Sequence, residues 1–155
     1  MWKKYFTRPE NVAKFSEIEE GLYRTLARVV EYHIECDFYF VPFNTDTFGM
    51  SDIDAAHRLK SLVGDSPNYV ITYEEKHCES MVNYLKNFDL SICMRLHACV
   101  FCWSSGIPTL GIEYSDTPGK VSDFFDQHKA GYCFLASDVN FANVSKFLNE
   151  YSASA

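Results

Sequence analysis

Basic side chains follow predicted strands at positions where they could hold an anion. Arg8 follows the first predicted strand, Arg95 and His97 follow the fourth, and Lys120 lies near the start of a later helix. Guanidinium groups bind phosphate and carboxylate bidentately, and the N–H groups at a helix N-terminus attract negative charge. The pattern indicates a pocket for a small, multiply charged anion. The spacing also allows other interpretations. Arg95 could be a solvated surface residue or could pair with Glu113, and His97 could be a buried histidine whose hydrogen bonds are satisfied within the protein.

Six short apolar runs alternate with amphipathic stretches, which predicts βα units around a parallel sheet. We expect an α/β fold with a doubly wound, Rossmann-like parallel sheet of about six strands, in the order 3-2-1-4-5-6. Ligands of such sheets bind outside the carboxyl ends of the strands. The predicted strands are Lys3–Thr7, Asp37–Phe43, Asn68–Thr72, Leu90–Met94, Thr109–Ile112 and Gly131–Leu135.

Helices are predicted between and after these strands. Ser16 and Glu19 have the form of a capping box, so the first helix is expected to begin at Ser16 and reach about His33. We expect residues 1–151 to form one domain and residues 152–155 to form a frayed tail. The other predicted helices are Ser51–Val63, Glu74–Asn87, Leu96–Ser104, a helix from Pro118-Gly119 to about His128, and Asp138–Tyr151.

Composition narrows the class of protein. The chain has 155 residues, of which 47% are hydrophobic and 23% charged, and its net charge is −7. A net-negative domain lacks the basic footprint of a general nucleic-acid binder. No signal peptide is visible at the start, and the longest uncharged stretch, Leu96–Ile112, is too short and interrupted to span a membrane. We therefore expect a cytoplasmic domain with no nucleic-acid partner and no membrane span.

The six cysteines are interpreted as buried hydrophobic residues, because most lie in apolar runs and no secretory signal precedes them. His97, Cys99 and Cys102 resemble part of a zinc site. However, a closed site needs a fourth ligand, and His97 and Cys99 are spaced for different helix faces. Cys99-Val100-Phe101-Cys102 has the spacing of a redox pair, but it lies inside a predicted helix rather than at its N-terminus.

Several enzyme classes are disfavoured by missing motifs. No Gly-x-Gly-x-x-Gly, no Gly-x-x-x-x-Gly-Lys-Ser/Thr and no Gly-x-Ser-x-Gly is present, which argues against nicotinamide, P-loop and α/β-hydrolase enzymes. Asp46, Asp52 and Asp54 could chelate a divalent metal. Asp52 and Asp54 are better interpreted as acidic residues in the first turn of a helix, where they complement its dipole.

The order of motifs in the second half resembles the C-terminal domain of the polysaccharide pyruvyl transferase family. That family typically shows an apolar strand, Arg-Leu-His-Ala or a close variant, an apolar helix, Gly-x-Pro, another strand, and then Tyr and Lys. The resemblance covers nearly the whole chain, and the loop from Tyr114 to Lys120 is longer than is common. The matching segments are Asp89–Ala98, Gly106–Ile112, Tyr114 and Lys120, with Phe6-Thr7-Arg8-Pro9, Phe40–Phe43 and Asp52 in the first half.

The resemblance implies transfer of a pyruvyl group from phosphoenolpyruvate to two sugar hydroxyls, which forms a ketal. It implies that Arg8 and Arg95 clamp the phosphate and the carboxylate, that His97 is the general acid, and that Lys120 neutralises the leaving phosphate. Leu96 and Tyr114 complete the implied donor site.

Family members have two Rossmann-like domains facing across a cleft, as in GT-B glycosyltransferases. A chain of this length has room for one, so the resemblance implies the donor-binding, C-terminal half. Its implied partners are phosphoenolpyruvate, a saccharide acceptor (free, or carried on a nucleotide or lipid) and an N-terminal domain. Neither a metal nor a separate cofactor is required.

Two alternative functions remain open at this point. One is the donor domain of a nucleotide-sugar glycosyltransferase of the GT-B type, which usually presents a carboxylate to the ribose or sugar after a late strand. Glu113 is the clear candidate for that carboxylate. The other is a non-catalytic anion-binding or assembly domain, in which the basic residues only decorate the surface.

Overall fold

A computed structural model of the chain describes residues 9–44, 51–72, 78–115 and 117–152. The chain forms two compact units, residues 1–75 and residues 76–155, which are described separately below. The predicted strand Lys3–Thr7, the side chain of Arg8 and that of Asp46 lie outside the described residues. Within the described ranges, every helix is too short or too polar to cross a bilayer. The cytoplasmic location stays a prediction.

The first unit contains two helices and a small parallel sheet. Its elements are α1 (Pro9–Tyr32), β1 (Phe38–Phe40), α2 (Asp52–Val63) and β2 (Tyr69–Ile71). β1 and β2 pair in parallel, with Phe38 opposite Tyr69. The core of this unit joins apolar residues of both helices to those of the sheet: Ala27, Val30, Leu59, Val63 and Tyr69.

Charged side chains join α1 to α2. The Arg58 guanidinium contacts the Glu19 carboxylate at 3.2 Å and the Glu20 carboxylate at 2.6 Å. The same guanidinium lies 4.5 Å from the ring centroid of Tyr23. Arg58 is partly exposed, so these contacts orient the two helices more than they stabilise them.

The expected start of the first helix is wrong. α1 begins at Pro9, and Ser16 lies within the helix on its exposed side. Proline suits the first turn, because its fixed φ is helical and its missing N–H would have no helical partner there. The Ser16–Glu19 spacing therefore does not mark a helix terminus.

The predicted start of α2 is confirmed. Ser51 is the N-cap, and its hydroxyl accepts a hydrogen bond of 3.1 Å from the Ile53 N–H. The buried Asp52 carboxylate accepts bonds from the N–H groups of Phe43 (3.0 Å) and Asn44 (2.9 Å). Asp52 thus ties the segment after β1 to the beginning of α2, and its described contacts are structural ones.

The second unit is built around three parallel strands. Its elements are α3 (Cys78–Leu85), β3 (Ser91–Cys93), α4 (Leu96–Ser104), β4 (Thr109–Glu113), α5 (Lys120–His128), β5 (Gly131–Leu135) and α6 (Phe141–Ser152). The strand order is β3-β4-β5. All five residues of the central strand β4 are buried. β4 is therefore the core element of this unit.

The α/β class and the parallel pairing are confirmed. The described strands form one sheet of two strands and one of three, rather than the expected six-stranded sheet. Within each sheet the neighbours agree with the expected order, since the second and third predicted strands pair and the last three are adjacent. The single domain over residues 1–151 and the two-domain arrangement of GT-B type stay predictions.

The end of α4 is a Schellman motif. The Gly106 N–H donates to the Trp103 carbonyl and the Ile107 N–H donates to the Cys102 carbonyl, each at 3.0 Å. Gly106 has φ +75°, in the left-handed region that side chains disfavour. Pro108 follows, and its carbonyl accepts from Ser91 at 2.9 Å, which aligns β4 with β3. Gly106-Ile107-Pro108 therefore reverses the chain and sets the strand register.

We predict that Gly106→Ala lowers the free energy of unfolding by about 1 kcal/mol, because alanine is strained at positive φ. The matched control is Gly21→Ala in α1, where an added Cβ meets no atom within 4 Å. That control should leave stability unchanged or raise it by up to about 1 kcal/mol. Urea unfolding followed by circular dichroism measures both. Equal effects in the two variants would contradict the assigned role of Gly106.

Candidate functional site

The carboxyl ends of β3 and β4 bring the predicted site residues together. The two strands are parallel neighbours, with Cys93 opposite Gly111. Arg95 comes two residues after β3, and Tyr114 directly follows β4. Adjacent strands lie about 4.8 Å apart, so the segments that leave them are side by side at one edge of the sheet.

Arg95 is the N-cap residue of α4. Its backbone is extended (φ −102°, ψ 134°), and its carbonyl accepts the first helical hydrogen bond, 3.0 Å from the Cys99 N–H. Arg95 makes no side-chain capping bond to this helix. Its side chain is half-buried. A cation therefore stands at a helix N-terminus, where a protein would ordinarily place an Asp or Ser.

His97 lies in the first turn of α4 and is exposed. The alternative of a buried, satisfied histidine is therefore wrong. Leu96, between the two polar residues, is half-buried, and Ala98 and Cys99 after it are buried. The buried face of α4 thus fixes the helix while the His97 imidazole stays accessible from solvent.

Glu113, the last residue of β4, holds the start of α5. Only 2% of Glu113 is exposed, and its Oε2 accepts hydrogen bonds from Val121 (3.0 Å) and Ser122 (3.2 Å). The carboxylate thus caps α5 although it is remote from the N-cap in sequence. A side chain at the N-cap residue, Gly119, would place its Cβ 3.0 Å from that Oε2. A larger residue there would therefore require the Glu113 carboxylate to shift by a few tenths of an ångström.

Two neighbouring helix N-termini therefore differ in their chemistry. The N–H groups of Val121 and Ser122 in α5 already bind an internal carboxylate. α4 begins with Arg95, which supplies no side-chain acceptor to its first turn. An incoming anion meets repulsion from Glu113 at α5 and attraction from the helix dipole and Arg95 at α4. The arrangement favours anion binding at α4.

Tyr114 and Lys120 border the same edge. Tyr114 follows Glu113 directly and is 40% exposed. Lys120 is the first residue of α5 and is exposed. The Glu113 cap therefore fixes where both segments begin. The structure brings Arg95, Leu96, His97, Tyr114 and Lys120 to one end of the second unit, whereas Arg8 lies outside the described residues.

The thiols behind α4 are buried and poorly ionised. The Cys93 and Cys102 sulfurs are 3.8 Å apart. The contact with Cys102 favours the Cys93 thiolate, but the Cys99 contact and burial outweigh it and raise the pKa of Cys93 to about 12. The contact with Cys93, together with burial, raises the pKa of Cys102 far above its ordinary range. These cysteines are core residues, as predicted from the sequence.

The zinc-like spacing of His97, Cys99 and Cys102 does not produce a ligand cluster. Cys99 and Cys102 are buried, whereas His97 is exposed. Their atoms do not converge among the described residues, where a group of three candidate metal ligands occurs only in the first unit.

Sequence reasoning missed the role of Glu113. We considered it as a sugar-binding carboxylate or an ion-pair partner, whereas it is buried beneath the helix that it caps. The signal that could have found it is the glycine just before Lys120, since a glycine at a helix start leaves the N–H groups to be satisfied by another residue. The carboxylate that the glycosyltransferase alternative requires is therefore already bonded within the protein.

We predict that Glu113→Gln destabilises the chain by about 1–3 kcal/mol, because the neutral amide replaces a charged acceptor of two buried N–H groups. The matched control is Glu150→Gln, at an exposed carboxylate that accepts from the Tyr132 hydroxyl at 3.1 Å. It should change stability by less than about 0.5 kcal/mol. Urea unfolding distinguishes the two. A Glu113 variant as stable as the control would refute the capping role.

Comparison with known proteins identifies a family. A family model described as polysaccharide pyruvyl transferase matches residues 6–116. The match includes Arg8, Arg95, Leu96, His97 and Tyr114, and it ends before Lys120. No curated protein and no solved structure matches the chain significantly.

Proposed function

From the premise that the chain belongs to the polysaccharide pyruvyl transferase family, we propose that its second unit binds phosphoenolpyruvate at the N-terminus of α4. We propose further that the bound donor transfers its pyruvyl group to a saccharide. The observation that carries the proposal is the position of Arg95 at the start of α4, where its side chain makes no capping bond to the helix, with His97 exposed in the first turn.

The donor and the site have complementary charges. Phosphoenolpyruvate carries a phosphate and a carboxylate on one small carbon frame. The first turn of α4 offers backbone N–H groups and the Arg95 guanidinium, which can bind either anion through paired hydrogen bonds. Lys120 would bind the other anionic group. Half-burial of Arg95 strengthens its interaction with an anion, because local water is reduced.

His97 is proposed as the general acid. The donor's methylene carbon takes a proton from the imidazolium and becomes a methyl group, which leaves the adjacent carbon electrophilic. One sugar hydroxyl adds to that carbon, and a second displaces the phosphate. One hydroxyl proton returns to His97 and the other leaves with the phosphate. The two new C–O bonds form the ketal, and no oxidant or reductant is consumed. Histidine suits this role because its pKa lies near neutrality.

The acceptor is proposed to be a saccharide, either free or carried on a nucleotide or lipid. Its hydroxyls would approach the same sheet edge, close to the exposed ring of Tyr114. A partner domain that presents the acceptor, as in a two-domain enzyme of GT-B type, belongs to this proposal. We place the reaction in the cytoplasm, where the sequence-based prediction locates the domain.

We predict saturable binding of phosphoenolpyruvate to the chain at low ionic strength, measured by calorimetric titration. Arg95→Ala should weaken it about tenfold or more, because a charged hydrogen bond contributes about 1.5–3 kcal/mol. The control Arg24→Ala removes the same charge from an exposed position in α1 and should leave the dissociation constant unchanged. If phosphoenolpyruvate binding weakened equally in both variants, the binding would be nonspecific charge attraction, which would contradict the proposed site.

The same titration separates the alternatives. A nucleotide sugar that binds while phosphoenolpyruvate does not would favour the glycosyltransferase function. Inorganic phosphate that binds as tightly as phosphoenolpyruvate would show that the carboxylate is not recognised, which would contradict the proposed donor.

We predict that His97→Gln in the intact enzyme lowers phosphate release about 100-fold or more, while donor affinity changes less than about threefold. A general acid acts mainly in the transition state, so kcat falls and donor binding is retained. Phosphate release with a saccharide acceptor measures turnover, and calorimetry measures donor affinity. Unchanged turnover would exclude His97 as the acid.

A further inference from the structure

The turn that follows α1 brings three side chains with metal-binding atoms together. The His33 Nδ1 lies 3.0 Å from the Glu35 Oε1, and the Cys36 Sγ lies 4.0 Å from the same oxygen. All three ligand atoms are within 4.8 Å of one another. The His33 side chain is 3% exposed and that of Glu35 is 65% exposed, and Cys36 is half-buried. The cluster is thus buried on the His33 side and open to solvent on the Glu35 side.

These separations suit a tetrahedral ion. Zinc bonds of about 2.0–2.3 Å to nitrogen, oxygen and sulfur, at tetrahedral angles, place neighbouring ligand atoms about 3.3–3.6 Å apart. The observed 3.0 Å and 4.0 Å lie on either side of that range. All three atoms lie within 4.8 Å of one another, so side-chain shifts of about 1 Å would bring them into a coordination sphere without a backbone rearrangement.

A buried amide holds the turn in this shape. The Asn68 side-chain nitrogen donates to the carbonyls of Val30 (3.0 Å), His33 (3.2 Å) and Cys36 (3.1 Å). An NH₂ group has two hydrogens, so one is shared. Asn68 is 6% exposed. Its main-chain carbonyl accepts a hydrogen bond of 2.7 Å from the Phe38 N–H. The backbone of two ligand residues is therefore fixed before any ion binds, as in metal sites oriented by an outer shell.

We propose that His33, Glu35 and Cys36 bind one Zn²⁺ ion, with the fourth position open to water. The imidazole coordinates through Nδ1 and carries its proton on Nε2, the carboxylate coordinates through one oxygen, and the thiol loses its proton to solvent. A thiolate with an imidazole selects zinc or a similar borderline metal over Mg²⁺ or Ca²⁺, which prefer oxygen ligands. The site lies in the first unit and depends on no step of the proposed pyruvyl transfer.

Cobalt(II) substitution tests the site in the full chain, because a thiolate bound to cobalt gives a charge-transfer band in the near ultraviolet. We expect one equivalent of cobalt to produce this band and one equivalent of zinc to remove it. Cys36→Ser should abolish the band. The matched control is Cys133→Ser, which replaces another half-buried cysteine outside the turn and should leave the band intact.

Glu35→Gln provides a second variant at an exposed position that should not affect folding. We expect it to weaken zinc binding at least tenfold in competition with a chromophoric chelator. Zinc should also protect Cys36 from alkylation, while it leaves the alkylation rate of Cys133 unchanged. The proposal is overturned if the wild-type chain fails to compete with a chelator of micromolar affinity. A cobalt band that survives Cys36→Ser, or one lost equally in Cys133→Ser, would place the ion elsewhere and also overturn it.

Discussion

The buried carboxylate of Glu113 is the contact on which the candidate site depends. It leaves the central strand β4 and binds the first N–H groups of α5, at 3.0 Å and 3.2 Å. A charged acceptor at that position stabilises the positive end of the helix dipole, and its burial keeps the interaction unscreened. Because strand and helix are joined in this way, the segment between them must return to the sheet edge. Tyr114 and Lys120 begin from that edge as a result.

The same contact explains why we propose the anion site at α4 rather than at α5. A protein that satisfies one helix N-terminus with its own carboxylate removes that end as an anion site and adds a negative charge beside it. Arg95 stands at the neighbouring helix start and contributes no side-chain cap. The two helix starts thus create a charge gradient along one edge of the sheet. In the proposed site, a small anion oriented by this gradient would have its negative groups near Arg95 and its uncharged carbon end free to meet the proposed proton donor, His97.

Local signals in the sequence predicted the second unit well. α4 and β5 have the expected bounds. Gly106 and Pro108 mark the end of α4, and the sequence of β5 is uniformly apolar. The start of α1 was wrong because Ser16 imitates a cap inside a helix that begins at a proline. A capping box is recognised only by the spacing of its Ser or Thr and its Glu or Gln. Whether the helix begins there or further upstream depends on whether the preceding residues can also be helical. Pro9 satisfies that condition.

Contacts between distant residues could not be read in the same way. Glu113 and α5 are separated by a loop, and the hydrogen bonds from Val121 and Ser122 show that the carboxylate lies at the start of the helix. The sequence predicts His33 only as the end of the first helix, whereas the turn after it is held by Asn68, 35 residues further along the chain. Strand and helix periodicity encode neighbours along the chain. Both proposed sites are positioned by buried polar groups, Glu113 in one unit and Asn68 in the other, which bond backbone groups distant from them in sequence. A buried polar residue that satisfies several main-chain groups at once is therefore the kind of contact that periodicity along the chain does not predict.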